Sequence, residues 1–438
     1  MAVRGSLVER WVPGVRASRT YRRSWLRSDA VAGLVLAAIL VPQGMAYAEL
    51  AGLPPVTGLY TTVACLLTYA VFGPSRVLVL GPDSSVSPLI LAAITPLFVA
   101  GDTGEAIALA GMLAVIVGLI EIGLGIGKLG FVADLLSNEV QVGYMNGLAV
   151  TIIVGQLPKL FGFSTDADTF IGDVREFVRN VDETIGAALV VGLAVLAVLV
   201  VLPRISRRVP AVLVAVVGAT IASAVLDLAN DGVQTVGSLP EGFPKPSIPW
   251  TNFDDVGALL IAAIGITLVS LTDTIATASS FAARRGDEVD PDQEMVAIGA
   301  SNLAAGLVQG FAVSTSGSRT AVAEQSGAKS QAAGVVGASV VVLLLVFFSS
   351  LLADLPQSAL AAIVIMAAVS LVDIKALLHY RRVRISAFLL SLVATGGVIF
   401  FGVLEGIVIA IGLAIIMFFR RSWWPYGVVV GRVDGMGG

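Results

Sequence analysis

The feature that most restricts this 438-residue chain is the recurrence of apolar runs, most of them near bilayer-crossing length, from residue 29 to residue 419. A helix needs about 20 consecutive apolar residues to span the hydrocarbon layer. By that criterion residues 29–47, 55–72, 105–127, 140–161, 184–202 and 210–228 read as spans of a first half. Residues 256–283, 294–311, 331–352, 356–372, 385–401 and 403–419 read as spans of a second. Only 13% of the residues are charged, against about 25% in soluble domains. The expectation is an all-α polytopic membrane protein. Its 47 glycines and 18 prolines leave room for broken spans.

Two interruptions stand at corresponding places in the halves. Residues 77–88 read VLVLGPDSSVSP: an extended apolar piece, a Gly81-Pro82 break, and Asp83, Ser84 and Ser85, which are N-cap types ahead of another apolar run to about residue 99. Residues 311–323, FAVSTSGSRTAVA, repeat the plan, with a Ser/Thr/Gly break and a helix start carrying Arg319. Each is the third segment of its half. The chain therefore reads as about 14 segments in a 7+7 inverted repeat, with short strands before the half-helices of spans 3 and 10. An open helix N-terminus has unpaired N–H groups and partial positive charge, so it suits an anion. Paired broken segments point to a binding site at the membrane midplane. Two polar surface loops are the alternative.

Charge placement gives the sidedness. Lys and Arg follow even-numbered spans, at Arg76, Lys128, Arg204, Arg207, Arg208, Arg284, Arg285, Lys329, Arg381, Arg382, Arg384, Arg420 and Arg421. Loops after odd spans carry acids instead, among them Asp102, Glu105, Asp166, Asp168, Asp173, Glu176, Asp227, Asp231 and Glu241. By the positive-inside rule both ends are cytoplasmic. The expected organisation is a cytoplasmic arm over 1–28, Arg-rich and lying against the membrane with an interfacial helix around Trp11 and Trp25; a first repeat over 29–235; a Pro-rich extracellular linker over 236–255; and a second repeat over 256–421.

Several functions are excluded. One cysteine, Cys65, cannot form an intrachain disulfide or a cysteine metal site. The single histidine, His379, lies in a basic run, which argues against a histidine-ligated metal or a Ser-His-Asp triad. No nucleophile and base pair or phosphate loop is evident, so an enzyme is not expected. Nor is a nucleic-acid partner.

Residues 42–60 read PQGMAYAELAGLPPVTGLY, a polar break near the end of span 1 followed by a Pro-Pro turn. This long run resembles the sulfate permease (SulP) family of anion transporters. The similarity continues through Gly81-Pro82, GFVADLLS at 130–137, QEMVAIGASN at 293–302 and residues 314–331. The resemblance implies a moving core domain of spans 1–4 and 8–11 and a gate domain of spans 5–7 and 12–14, dimerised. It implies an anion held between the half-helices of spans 3 and 10, beside span 1. Matched by motif, the substrate-binding residues are Gln43, Tyr47, Asp83, Ser84, Ser318 and Arg319. The ion-coupling residues are Asp273, Glu49 and Asp83. Residues 422–438 would begin the linker to a STAS domain that is missing here.

Position 83 departs from the family, being an acid where relatives are often apolar or small. An anion site does not want a second negative charge, so Asp83 is protonated, paired with Arg319, or part of proton coupling. Asp273, in LVSLTDTIATA, lies well inside a span, where it is a proton or cation handle or else a packing hydrogen bond. Glu49 is read as a proton acceptor on the core and gate seam or as an interfacial carboxylate. Glu121, Asn146 and Gln156 are read as packing groups. Arg319 is the cation expected near the midplane, its structural alternative being a pair with Asp83 or Glu324.

The function expected is secondary active transport of small inorganic or organic anions, of the sulfate, bicarbonate or dicarboxylate class. The mechanism expected is elevator-like symport with a co-transported proton, sodium being the other candidate. The setting is the inner (plasma) membrane and a lipid bilayer, as a homodimer. A nucleobase-type carrier of the same fold and a passive anion channel or sensor are the alternatives.

Overall fold

The computed structural model describes residues 11–99, 101–134, 137–165, 167, 169–206, 209–240, 242–250 and 253–423. Arg4 and Arg10 of the arm, Asp166, Asp168, Arg207, Arg208, Glu241 and the tail from residue 424 lie outside the described residues. The first half forms α1 (Pro13–Thr20), α2 (Leu26–Leu50), α3 (Pro55–Phe72), β1 (Leu80–Gly81), α4 (Ser87–Ile94), α5 (Thr103–Ile126), α6 (Asn138–Phe161), α7 (Phe170–Arg179), α8 (Gly186–Ile205) and α9 (Ala211–Leu226). The second forms α10 (Phe253–Arg285), α11 (Pro291–Leu307), β2 (Ser314–Thr315), α12 (Gly317–Gln325), α13 (Ala332–Phe347), α14 (Gln357–Leu371), α15 (Ile374–Val383), α16 (Ile385–Phe401) and α17 (Val403–Trp423). Among the described residues seven helical stretches are long and apolar enough to cross a membrane, and five shorter apolar helices accompany them.

The core is apolar, but the outer surface is apolar as well and several charged side chains lie inside. Val190, Val225 and Phe400 point outward, each more than two-thirds exposed. Asp29, Glu121, Glu294 and Arg319 are buried. Hydrocarbon accepts the first set at no cost, while polar groups must find partners inside. Asp29 does so by accepting from the amide of Lys329 at 2.7 Å and the hydroxyl of Ser330 at 2.8 Å.

Several boundaries differ from the sequence expectation for local reasons. The first half-helix begins at Ser87 and not at Asp83, because the Asp83 carbonyl and carboxylate capture the groups that follow in a turn. Helix α11 stops at Leu307, before the expected 311, since Gln309 takes a left-handed φ of 59°. The amphipathic helices α7 and α15, each of 10 residues, match no expected span. They are capped by Thr169, which accepts from the Gly172 amide, and by Asp373, which accepts from the Ala376 amide.

Glycine sets the tightest packing. A Cβ on Gly118 of α5 would lie 2.6 Å from the Gly299 carbonyl of α11, and one on Gly299 would lie 2.7 Å from the Gly118 carbonyl. One turn pair further along, a Cβ on Gly306 would lie 2.5 Å from the Gly111 carbonyl. Backbones meet directly at these pairs, as small residues allow between membrane helices. Gly58 of α3 against Gly44 of α2, and Gly143 of α6 against Ser391 of α16, repeat the device.

Candidate functional site

The two broken segments meet. Strands β1 and β2 pair antiparallel, with Leu80 opposite Thr315 and Gly81 opposite Ser314. Around them the Ser316 amide donates to the Val79 carbonyl at 3.4 Å and the Val79 amide to Thr320 Oγ1 at 3.1 Å. Thr315 is tied to Thr274 of α10 by a 3.0 Å hydroxyl contact. Irregular backbone inside a membrane bundle survives only where it is buried in protein or lines a cavity, and β1 and β2 are buried.

The crossing brings Arg319 onto the opposite segment. Its guanidinium donates to the Pro82 carbonyl, to the Gly81 carbonyl at 3.4 Å and to Asp83 Oδ2 at 3.3 Å. The side chain is 1% exposed, and its Nε–H has no acceptor among the described residues. Gly81 makes room for it, since a Cβ there would lie 3.2 Å from Arg319 Nη1.

Asp83 faces two ways. Oδ2 meets Arg319, while Oδ1 accepts from the Ser85 amide at 3.1 Å and the Ser85 hydroxyl at 2.9 Å. Its carbonyl takes the Ser87 hydroxyl at 2.9 Å and the Ser87 amide at 3.0 Å. The entrance to α4 is thus closed by the chain itself. The entrance to α12 is open: among the described residues no acceptor reaches the amides of Gly317, Ser318 or Arg319. Of the three choices left open by sequence for Asp83, the geometry shows the pair with Arg319. Glu324 is not a partner of Arg319; it lies 2.9 Å from Arg285 and 4.0 Å from Arg284.

The remaining residues read from sequence divide into those at the crossing and one away from it. Ser84 and Tyr47 are buried side by side near Asp83 and Arg319. Gln43 lies one helical turn before Tyr47, half-buried on the same face of α2. Asp273 of α10 neighbours Asp83 and Ser85 and accepts from Gln141 Nε2 of α6 at 3.0 Å. Ser318 is exposed, its Oγ 2.9 Å from Ser316 Oγ. Glu49 is elsewhere, 3.9 Å from Lys159 Nζ of α6. Sequence reading missed Ser85, Thr320 and Gln141. Ser85 stood in the same Asp-Ser-Ser triplet, but Gln141 had no local signal. Asn146 accepts from the Asp373 amide at 2.8 Å, a packing contact between α6 and the start of α15.

Two broken helices crossing through short strands inside a multi-pass bundle are the architecture of a secondary transporter. The chain belongs to the sulfate permease family, whose model matches residues 26–394. Members of that family are transporters and not enzymes, and this chain is a multi-pass membrane protein. It is 42% identical over 428 residues to a probable sulfate transporter of Mycobacterium tuberculosis, covering 98% of this chain and 76% of the relative. Murine Solute Carrier 26 family member A9, an anion transporter solved in the inward-facing state, superposes with a TM-score of 0.88 at 24% identity, over 96% of this chain and 73% of that one. The transmembrane domain of the cyanobacterial bicarbonate transporter BicA superposes with a TM-score of 0.78 at 23% identity, over 90% and 98%.

Proposed function

We propose that the protein is a secondary active transporter of small oxyanions, loaded at the open N-terminus of α12. The observation that carries this reading is a set of unfilled donors: three free amides at Gly317, Ser318 and Arg319, beside an Arg319 guanidinium whose Nε–H is unpartnered. Such a set matches the multidentate demand of sulfate, bicarbonate or a carboxylate. Ser84, Tyr47 and Gln43 flank it from β1–α4 and α2.

Charge accounting supports coupling to a cation. Asp83 and Arg319 cancel, and Asp273 stands beside them as a carboxyl able to take up or release a proton. An arriving anion makes this buried centre more negative, which a proton on Asp273 offsets. Asp83 acts as an internal stand-in that holds the guanidinium until the anion takes it over.

The helix pairings support a 7+7 inverted repeat with a core and a gate. Contact of α5 with α11 repeats as α13 with α3, and α5 with α10 repeats as α13 with α2. Contact of α6 with α16 repeats as α14 with α8, and α10 with α4 repeats as α2 with α12. In this arrangement α2–α5 and α10–α13 form the core, and α6, α8, α9, α14, α16 and α17 form the gate. Glu49 and Lys159 then bridge the seam between them, a latch and not part of the anion pocket.

Uptake into proteoliposomes at two pH values, with labelled sulfate competed by bicarbonate, fumarate and uracil, tests the reading. Anion competition and accumulation against a gradient are expected, and competition by uracil alone overturns it. Asp273→Asn is expected to bind sulfate about as tightly as the parent while losing proton-driven accumulation. Unchanged pH-dependent uptake removes Asp273 from the coupling role.

A further inference from the structure

Away from the crossing, Glu121 lies fully buried in the C-terminal third of α5, and its neighbours form a closed ring. Ser270 Oγ of α10 is 3.0 Å from Glu121 Oε1 and 3.2 Å from the Val313 carbonyl oxygen. Asn302 Nδ2 of α11 donates to Glu121 Oε2 at 2.7 Å, and Asn302 Oδ1 accepts from the Val313 amide at 2.7 Å. The ring therefore returns to the same residue, entering Val313 at its oxygen and leaving at its nitrogen. Val313 immediately precedes β2.

Hydrogen counting decides the chemical state of the acid. A serine hydroxyl has one hydrogen, yet Ser270 stands between two acceptors, the Val313 carbonyl and Glu121 Oε1. With an ionised Glu121, one of these buried oxygens goes without a donor, and a bare negative charge sits in the bundle with no cation against it. With a neutral Glu121, its own hydroxyl donates to Ser270, Ser270 donates to Val313, and Asn302 fills both remaining positions. Every polar atom of the ring is then paired. The titratable and charged groups on the helices packed against α5 are Asp255, Asp273, Arg284 and Arg285 on α10 and Asp292 and Glu294 on α11, and Asp254 also belongs to α10; α4 contributes none. Beside the acid, the side chains of the ring are those of Ser270 and Asn302.

We infer that Glu121 is a protonated carboxylic acid that, through Ser270 and Asn302, clamps the backbone N–H and C=O of Val313, and through that clamp sets the approach of β2 and the position of Arg319. It is a positioning residue, and the link to anion binding rests on the reading of the crossing as the anion site, whereas the proton assignment does not.

The test uses the full chain in lipid. Difference infrared spectra between parent and Glu121→Gln, recorded without substrate, are expected to show the C=O stretch of a protonated carboxyl in the parent and its loss in the variant. A carboxylate band lost in its place overturns the assignment. Glu121→Gln keeps a donor for Ser270 and an acceptor for Asn302, so sulfate binding is expected to stay within about twofold of the parent, while Glu121→Ala opens the ring and weakens it about tenfold. Equal losses in both variants overturn the clamp. If the carboxyl band is lost as expected but Glu121→Ala binds sulfate like the parent, the link from Val313 to Arg319 is refuted and the neutral acid stands. Absence of sulfate binding in every variant and in the parent, with the band present, refutes the anion-site reading alone.

Discussion

The two broken segments share a plan and differ at the entrance to their helices. In the first, Asp83 folds back on its own turn, and α4 that follows, SPLILAAI, is apolar and mostly buried. In the second, no side chain caps α12, Gly317 and Ser318 are exposed, and the helix carries the cation that crosses over. One entrance holds a carboxylate of its own chain, and the other has amides with no acceptor among the described residues. The first segment thus presents a negative group, and the second meets it with Arg319. On the reading proposed above, binding at such a crossing is an exchange of partners around one guanidinium, and not the filling of two equivalent helix ends.

Substitutions at each side break or sharpen that contrast. The largest effect is expected from Arg319→Ala, which removes the shared cation and strands Asp83 in the interior, a loss of about 3 to 5 kcal/mol. Calorimetry should show a lowered melting temperature and no sulfate binding heat. Adding Asp83→Asn should restore the melting temperature without restoring binding, because the stranded charge is gone but the anion's partner is still missing. Asp83→Asn alone should act in the opposite sense, freeing the guanidinium and tightening sulfate by about tenfold, or roughly 1.4 kcal/mol. Weaker binding in that variant would mean that Asp83 orients Arg319 and does not compete for it. The smallest contrast is between glycines. Gly81→Ala pushes a methyl to 3.2 Å from Arg319 Nη1, whereas Gly317→Ala meets nothing within 4 Å. A few-fold loss of affinity in the first and parental affinity in the second are expected from titration with sulfate. Equal effects would show that the two entrances are not distinguished in this way.

Much of this was legible in the chain. Pro55 at one end of α3 and Gly73 just beyond the other mark its limits, and the bounds of α16 follow Arg384 and Gly402 in the same manner. Glycine, proline and charge are local signals, and span limits are local decisions. The triplet Asp83, Ser84, Ser85 and the run around Arg319 announced the crossing by composition. What composition could not convey was direction. Whether Asp83 turns toward its own helix or toward the opposite one depends on a side-chain rotamer fixed by contacts 236 residues away. Gln141 meets Asp273 across 132 residues, and Glu121 meets Asn302 across 181. Short amphipathic helices such as α7 and α15 were missed because two or three turns do not establish a period against the apolar background.

The glycine pairs between α5 and α11 carry a mechanical consequence. With Gly118 and Gly299 backbone to backbone, neither rod can roll or shear past its mate without collision. The pair behaves as a single plank, and in the elevator-like movement proposed above both rods would rise together.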